Sequence, residues 1–309
     1  MALFWKMKNK LLLAHIALLA VNVLYGANHV LAKGVMPAYV TPTVFIFFRV
    51  SGAVLLFWML TAFQKWQAIQ RKDWLLFASC GFFGVAANQL FFFHGLNLSS
   101  AFNSGIIMAL NPIMVVVLSF FILKEKFTVF RSFGILLGTI GAILLTWKGA
   151  TNAGDSQLGD LFLFINSISY AIYLVLAKPL MQRYSPLQVI TLVFSFGWFF
   201  VLLFPLTLPE LWNTQFASFP SSIWLKISYV IVGVTFLTYL LTMFGLKYTS
   251  PTVSSAYIYT QPIIVLLFTF LFAYLGWSAD YSATITGEKM LYMGVIFLGV
   301  YLTSLKQKI

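Results

Sequence analysis

Apolar stretches of about 20 residues follow one another along almost the whole chain, separated by short polar segments. A helix of that length crosses the hydrocarbon core of a bilayer and satisfies its own backbone hydrogen bonds there. Charged residues make up only 8% of the chain, whereas a soluble domain carries about 25%. The sequence therefore predicts an all-α integral membrane protein without a separate soluble domain. Its ten predicted transmembrane helices are 11–32, 41–63, 74–95, 100–123, 131–148, 158–178, 187–208, 223–246, 251–275 and 288–305.

Charges in the loops predict the orientation of these helices. The net charge of +12 would by itself also suit a nucleic-acid-binding protein. With the N-terminus inside, however, 14 of the 19 Lys and Arg residues fall on inner segments and 4 on outer ends, with Arg49 inside a span. Cytoplasmic loops carry such an excess of basic residues. We therefore predict that both termini face the cytoplasm.

The chain repeats itself after about 150 residues, as five pairs of matching segments indicate. These pairs are Val30–Lys33 with Val175–Lys178, Trp74-Leu75 with Trp224-Leu225, Gly84-Val85 with Gly233-Val234, Gly95-Leu96 with Gly245-Leu246, and Asn111-Pro112 with Gln261-Pro262. Residues 1–150 and 158–309 are then predicted to be repeats of five helices each. Since five is odd, the second repeat must enter the membrane from the opposite side. Inverted repeats of this kind are typical of secondary transporters, whose substrate site lies at the repeat interface near the midplane.

The amide-proline pairs mark the fourth and ninth helices as sites of helix kinks. Pro112 and Pro262 have no N–H to donate to the carbonyls of Met108 and Ile258. Each freed carbonyl needs another partner, which is a neighbouring amide, a water molecule or a group of the substrate. A second interpretation is that the kinks only shape the bundle.

Other polar side chains within the spans are expected to face the bundle interior or a water-filled path. Asn22, His29 and Lys33 share one face of the first helix. Asn22 either lines a cavity or serves helix packing. For His29 three interpretations stand, namely cavity lining, packing and proton handling. Lys33 is expected to extend to the outer interface. For Arg49, two interpretations stand: it binds a substrate carboxylate, or it hydrogen-bonds the carbonyl ends of neighbouring helices.

Together these positions predict a polar, aromatic cavity without acidic residues. No carboxylate lies in the middle of any span, and the sequence contains no metal-ligand cluster, phosphate-binding glycine loop or serine-hydrolase motif. We therefore expect no catalytic residues, metal or cofactor, and a neutral or zwitterionic metabolite as substrate. The predicted substrate-binding residues are Asn22, Tyr25, His29, Arg49, Asn88, Gln89, Met108, Asn111, Tyr170, Tyr173, Tyr257 and Gln261.

Several motifs resemble EamA-domain transporters of the drug/metabolite transporter superfamily. They are YGANHVLAKGVMPAYVTPTVFIFFR (Tyr25–Arg49), Pro112 followed by Glu125, and the glycine-rich FGILLGTIGAILL (Phe133–Leu145), and the resemblance extends over both halves. The chain departs from the family pattern at Lys124, which stands where the family has glycine, and in the extended segment at 276–288.

The resemblance implies ten helices in two inverted five-helix repeats and export of amino acids or similar small metabolites, with nucleotide sugars or other organic solutes as the alternative. It also favours a bacterial cytoplasmic (inner) membrane. Glu125 is expected at the cytoplasmic face as an electrostatic anchor rather than as a proton-coupling site. The Gly134-x-x-x-Gly138 motif predicts close helix packing, either within the chain or in a homodimer. We expect no nucleic-acid partner, because the basic residues lie in loops between apolar spans.

Overall fold

The computed structural model describes residues 2–123, 129–149, 156–278 and 285–304, and the regular secondary structure within them is helical. Ten helical segments are labelled here in chain order. They are α1 (Ala2–Lys33), α2 (Pro42–Thr61), α3 (Arg71–Leu98), α4 (Ala101–Met108 and Asn111–Leu123), α5 (Val129–Gly149), α6 (Gln157–Arg183), α7 (Pro186–Leu202), α8 (Ser221–Tyr248), α9 (Pro251–Tyr274) and α10 (Gly287–Ser304).

Seven of these segments within the described residues are long and apolar enough to cross a membrane, namely α1 to α4, α6, α8 and α9. An eighth span is possible if α7 is joined to the short helix Thr207–Asn213, from which it is bent by 75°. The segments α5 and α10 lie at the predicted fifth and tenth spans but do not meet the same criteria. A multi-pass membrane protein is thus confirmed, whereas ten spans and cytoplasmic termini stay predictions.

The predicted seventh span begins close to where α7 begins but extends too far toward the C-terminus. We expected helix up to residue 208, but α7 ends at Leu202 and the chain turns before the next helix begins at Thr207. Pro205 lies in this turn. A proline disfavours helical geometry in the residue before it, which is the physical reason for the early end.

Corresponding helices of the two predicted halves begin with the same capping chemistry. Thr41 and Ser185 accept hydrogen bonds from backbone N–H groups of α2 and α7, and each is followed by a proline at the first helical position. Ser100 and Ser250 cap α4 and α9 in the same manner. These side chains satisfy N–H groups that a helix start leaves without partners.

Lys33 and Lys178, which end the repeated VLAK segments, cap the opposite ends of helices. The Lys33 ammonium donates to Leu96 O at 3.0 Å and to Ser99 O at the end of α3. The Lys178 ammonium donates to Leu246 O at 2.8 Å and to Thr249 O at the end of α8. The structure thus places Lys33 on helix-end carbonyls, where the sequence predicted only that it extends to the interface.

Helices of each half pack against the first helix of the other half. α3 packs on α6 as α8 packs on α1, α4 packs on α6 as α9 packs on α1, and α5 packs on α10. The α5–α10 contact uses the predicted glycine motif: a Cβ added to Gly299 would lie 2.5 Å from the Gly138 nitrogen and 2.6 Å from the Gly134 oxygen. The motif therefore packs against a helix of the same chain.

Four helices depart from regular α geometry near the middle of the bundle. π-helical segments occur at Phe82–Ala86 in α3 and at Val230–Leu237 in α8, and each contains one of the repeated Gly-Val pairs. α4 is interrupted between Met108 and Asn111, and α9 contains a 3₁₀ segment at Tyr257–Thr260. Both interruptions lie directly before the amide-proline pairs. Such irregular backbone at membrane depth is tolerated where protein or a cavity surrounds it.

Candidate functional site

A cavity lies among seven helices at the level of these irregular segments. Its volume is about 70 Å³. Nine of the twelve predicted residues line it: Tyr25, His29, Arg49, Asn88, Gln89, Met108, Asn111, Tyr170 and Gln261. The sequence-based list did not include six further lining residues, which are Asn28, Phe92, Phe93, Asn166, Tyr239 and Ile258.

Arg49 is the cationic side chain of this cavity. It is 4% exposed, and its guanidinium carbon lies 4.4 Å from the centre of the Phe93 ring. Its Nε donates to Thr235 Oγ1 at 2.9 Å, and Thr235 Oγ1 donates in turn to Val230 O at 2.8 Å. Since Thr235 lies in the π-helical segment of α8, that segment positions the acceptor that holds the guanidinium. No carboxylate among the described residues pairs with Arg49.

The amide of each amide-proline pair bonds to the first helix of the other half. Asn111 Nδ2 donates to Ser167 O on α6 at 2.8 Å, and Gln261 Nε2 donates to Asn22 Oδ1 on α1 at 2.9 Å. Asn22 and Ser167 are 145 residues apart, as are Lys33 and Lys178. The two amides therefore bond at matching positions, one to a backbone carbonyl and the other to a side-chain oxygen.

Polar atoms around the cavity are left without hydrogen-bond partners. The side-chain oxygens of Asn28, Asn111 and Gln261, and both polar atoms of Gln89, are buried and have no partner within the described part of the chain. Buried polar side-chain atoms in folded proteins nearly always have a protein or water partner. The cavity thus presents groups that water or a solute must satisfy.

His29 is held on the cavity wall by α4. Its Nδ1 lies 2.5 Å from Ser104 Oγ, and Ser104 Oγ lies 2.7 Å from Ala101 O. The serine hydroxyl has only one proton, so it donates either to Nδ1 of His29 or to Ala101 O, depending on the tautomer of the imidazole. The ring also meets Phe92 edge to face, with 5.1 Å between centroids. His29 therefore combines cavity lining with packing.

The π-helical segment of α3 exposes carbonyls that hold two other helices. Gly84 O accepts from the Tyr239 hydroxyl at 3.0 Å, and Phe83 O accepts from Ser169 Oγ at 2.7 Å. Asn166 on α6 similarly donates through Nδ2 to Asn88 O at 2.6 Å. Tyr239 and Thr235 were missed by the sequence-based prediction. The signal that pointed near them was the repeated Gly-Val pair, which lies in each π-helical segment.

Three predicted residues do not line the cavity. Asn22 lies behind it, as the acceptor for Gln261. Tyr173 is fully buried, and its hydroxyl lies 3.4 Å from Met243 Sδ; its ring occupies space that a Cβ at Gly84 would fill. The Tyr257 hydroxyl lies 2.6 Å from His15 Nδ1. The predicted cytoplasmic anchor Glu125 lies outside the described residues.

A multi-pass helical bundle with polar side chains around a central cavity is the arrangement typical of membrane transport proteins. More narrowly, the chain belongs to the EamA-like transporter family, whose model matches residues 12–147 and again 157–305. This confirms the resemblance drawn from the sequence motifs.

Individual relatives and a solved structure agree with this family. The uncharacterized transporter YyaM of Bacillus subtilis (strain 168) is 26% identical over 83% of this chain and 85% of its own length. The uncharacterized transporter YetK of the same organism is 25% identical over 82% and 78%. A crystal structure with 20% identity covers 98% of this chain and 99% of its own, with a TM-score of 0.62, and shows the same fold.

Proposed function

We propose that this protein is a secondary transporter that moves a small neutral or zwitterionic metabolite, such as an amino acid, out of a bacterial cell across its cytoplasmic membrane. The observation that carries the proposal is the cavity lined by both halves of the chain, with buried amide oxygens that have no partner within the described residues. The family membership supports transport, and the relatives in Bacillus fit a bacterial cytoplasmic membrane.

Alternating access is the proposed mechanism. Asn111-Pro112 on α4 and Gln261-Pro262 on α9 follow helix interruptions and reach across to α6 and α1. Helix interruptions of this kind absorb backbone changes when one repeat moves against the other. The two halves would exchange an outward-open and an inward-open arrangement around the same cavity.

The size of the cavity favours amino acids over larger solutes of the superfamily. Its volume of about 70 Å³ is well below the roughly 300–1,000 Å³ of pockets for drug-sized ligands. A nucleotide sugar would need a much wider cavity. The small volume therefore supports an amino acid over a nucleotide sugar as the substrate.

A counterflow experiment tests the proposal. Purified protein is reconstituted into liposomes that are loaded in turn with unlabelled amino acids, and uptake of the same labelled amino acid is followed. We expect counterflow for at least one amino acid. A membrane enzyme would convert its substrate without moving it, and a receptor would bind without counterflow.

A double variant tests the position of the site. Asn111→Leu combined with Gln261→Leu removes both amides, and we expect transport to be abolished. The control is Thr269→Val on α9, a buried residue whose Oγ1 bonds, within the described part of the chain, only to Val265 O of the same helix. Undiminished transport by the double variant would refute a central site.

A further inference from the structure

The charge of the cavity is unbalanced. Among its lining residues Arg49 is the one with a fixed positive charge, and no Asp or Glu is present to compensate it. The Nε group is used by Thr235, while the two terminal NH₂ groups of the guanidinium donate to no group among the described residues. A buried cation without a counter-ion is unfavourable, so an anionic group entering the cavity would be strongly attracted. The free edge of the guanidinium matches the two oxygens of a carboxylate.

The remaining polar groups of the cavity require a different partner. Asn28 and Asn111 are 2% and 1% exposed, and their Oδ1 atoms have no hydrogen-bond donor within the described residues. An amide oxygen accepts hydrogen bonds and cannot donate them. These two atoms therefore suit a group rich in N–H or O–H donors, such as an ammonium group.

We propose that Arg49 binds the carboxylate of the transported solute, and that the side-chain oxygens of Asn28 and Asn111 accept hydrogen bonds from its ammonium group. The site then selects α-amino acids and rejects amines and amino-acid amides. This inference rests on the proposed transport function and specifies its substrate class. Thr235 acts as a positioning residue, because it holds the guanidinium through Nε and leaves the opposite edge open.

Electrostatics and hydrogen bonding give the same order of preference. An amino-acid amide keeps the ammonium group but loses the carboxylate, so it carries a net positive charge into a cavity that already holds Arg49. The corresponding 2-hydroxy acid keeps the carboxylate and replaces the ammonium by a single hydroxyl donor. It would bind Arg49 but satisfy the two amide oxygens less well.

Matched trios of ligands test this inference on the purified full-length protein. Each trio consists of an amino acid, its amide and its 2-hydroxy acid, built on alanine, leucine and phenylalanine. Binding is measured by ligand-induced thermal stabilisation in detergent. For wild type we expect the amino acid to bind at least about 10-fold more tightly than its amide in one or more trios, because a hydrogen bond to a charged group is lost with the carboxylate.

The Arg49→Gln variant should lower amino-acid affinity by roughly 10- to 150-fold and bring the ratio of amino-acid to amide affinity close to one. The ratio is insensitive to partial misfolding, since a purely structural defect weakens both ligands alike. Arg49→Lys keeps the charge but not the paired NH₂ groups. Its ratio of amino-acid to amide affinity should therefore lie between those of wild type and Arg49→Gln. The control Lys247→Gln removes an exposed cation outside the cavity and should leave the ratio unchanged.

Two results would overturn the inference: a wild-type ratio near one in every trio, or a wild-type ratio that Arg49→Gln preserves. A hydroxy acid that binds as tightly as its amino acid would refute the role assigned to the ammonium group. These outcomes differ from failure of the proposed function. That failure would appear as the absence of counterflow for every amino acid, whatever the binding ratios.

Discussion

Replacing Lys33 or Lys178 by methionine tests whether the two halves are stabilised by the same device. Methionine keeps an unbranched apolar side chain of similar length but lacks the ammonium group. In Lys33→Met the carbonyls of Leu96 and Ser99 at the end of α3 lose their donor. In Lys178→Met the same happens to Leu246 and Thr249 at the end of α8.

The magnitude follows from the number and exposure of these hydrogen bonds. A hydrogen bond to a charged group contributes about 1.5–3 kcal/mol when it is buried. Both lysines are half-buried, so water replaces part of what is lost, and about 2 kcal/mol per lysine is a reasonable value. For a large domain, 1 kcal/mol shifts the melting temperature by roughly 2–4 °C. Each substitution should then lower the melting temperature by roughly 4–8 °C.

The effects should add in the double variant. Lys33 donates to Ser99 O, and Ser99 Oγ donates to Asp160 near the start of α6 at 2.6 Å. Lys178 lies 18 residues further along the same helix, which is about 27 Å at 1.5 Å per residue. Sites separated by more than about 10 Å without shared partners are usually additive. We therefore expect a decrease of roughly 8–16 °C for the double variant.

Thermal unfolding of purified protein in detergent, followed by tryptophan fluorescence, measures these changes. Lys247→Met is the control, because Lys247 lies in the last turn of α8 but is exposed and makes no hydrogen bond among the described residues. If Lys33→Met and Lys178→Met both have the same melting temperature as this control, the lysines do not stabilise the helix ends and only extend to the interface. If one melts lower and the other does not, the two caps are not equivalent.

Two further predictions concern packing and orientation. Gly84→Ala places a Cβ 2.4 Å from a carbon of the Tyr173 ring and should destabilise the protein by about 1–3 kcal/mol, measured by thermal unfolding, whereas Gly287→Ala, with nothing within 4 Å of its added Cβ, should not. The predicted orientation places Gln215 outside the cell and Gln64 inside it. Gln215→Cys should therefore react with a membrane-impermeant maleimide on intact cells and Gln64→Cys should not, and the buried Cys80 should add little background. The reverse pattern would refute the predicted orientation.

Hydropathy predicted where the helices lie, because the length of an apolar stretch and the thickness of a bilayer are directly related. It could not predict the π-helical segments, since one extra residue in a helical turn leaves no mark on composition. Those segments supply Thr235 as the acceptor for Arg49 and the Gly84 carbonyl that holds Tyr239 at the cavity, and so Thr235 and Tyr239 were missed. Tyr173 was expected to line the cavity with Tyr170. The two rings do lie side by side, with 5.9 Å between centroids, but the Tyr173 ring packs against Gly84 and is not part of the cavity lining.

The two halves of the chain correspond to each other in their scaffold but not at every residue of the cavity, and this difference bears on the mechanism. The scaffold is matched between halves: Lys33 with Lys178, and the Asn111 and Gln261 amides with their partners on α6 and α1. Two groups of the cavity, His29 and Arg49, are not matched in this way.

At the offset of 145 residues that relates Lys33 to Lys178, His29 corresponds to Leu174. At the offset of 144 that relates the caps Thr41 and Ser185, Arg49 corresponds to Val193. A matched scaffold allows two opposite arrangements of similar free energy, as alternating access requires. Under the proposed mechanism, an unmatched Arg49 would let a solute bind in one orientation in both arrangements. Loss of the guanidinium should therefore change which solute is chosen more than the ability of the helices to move.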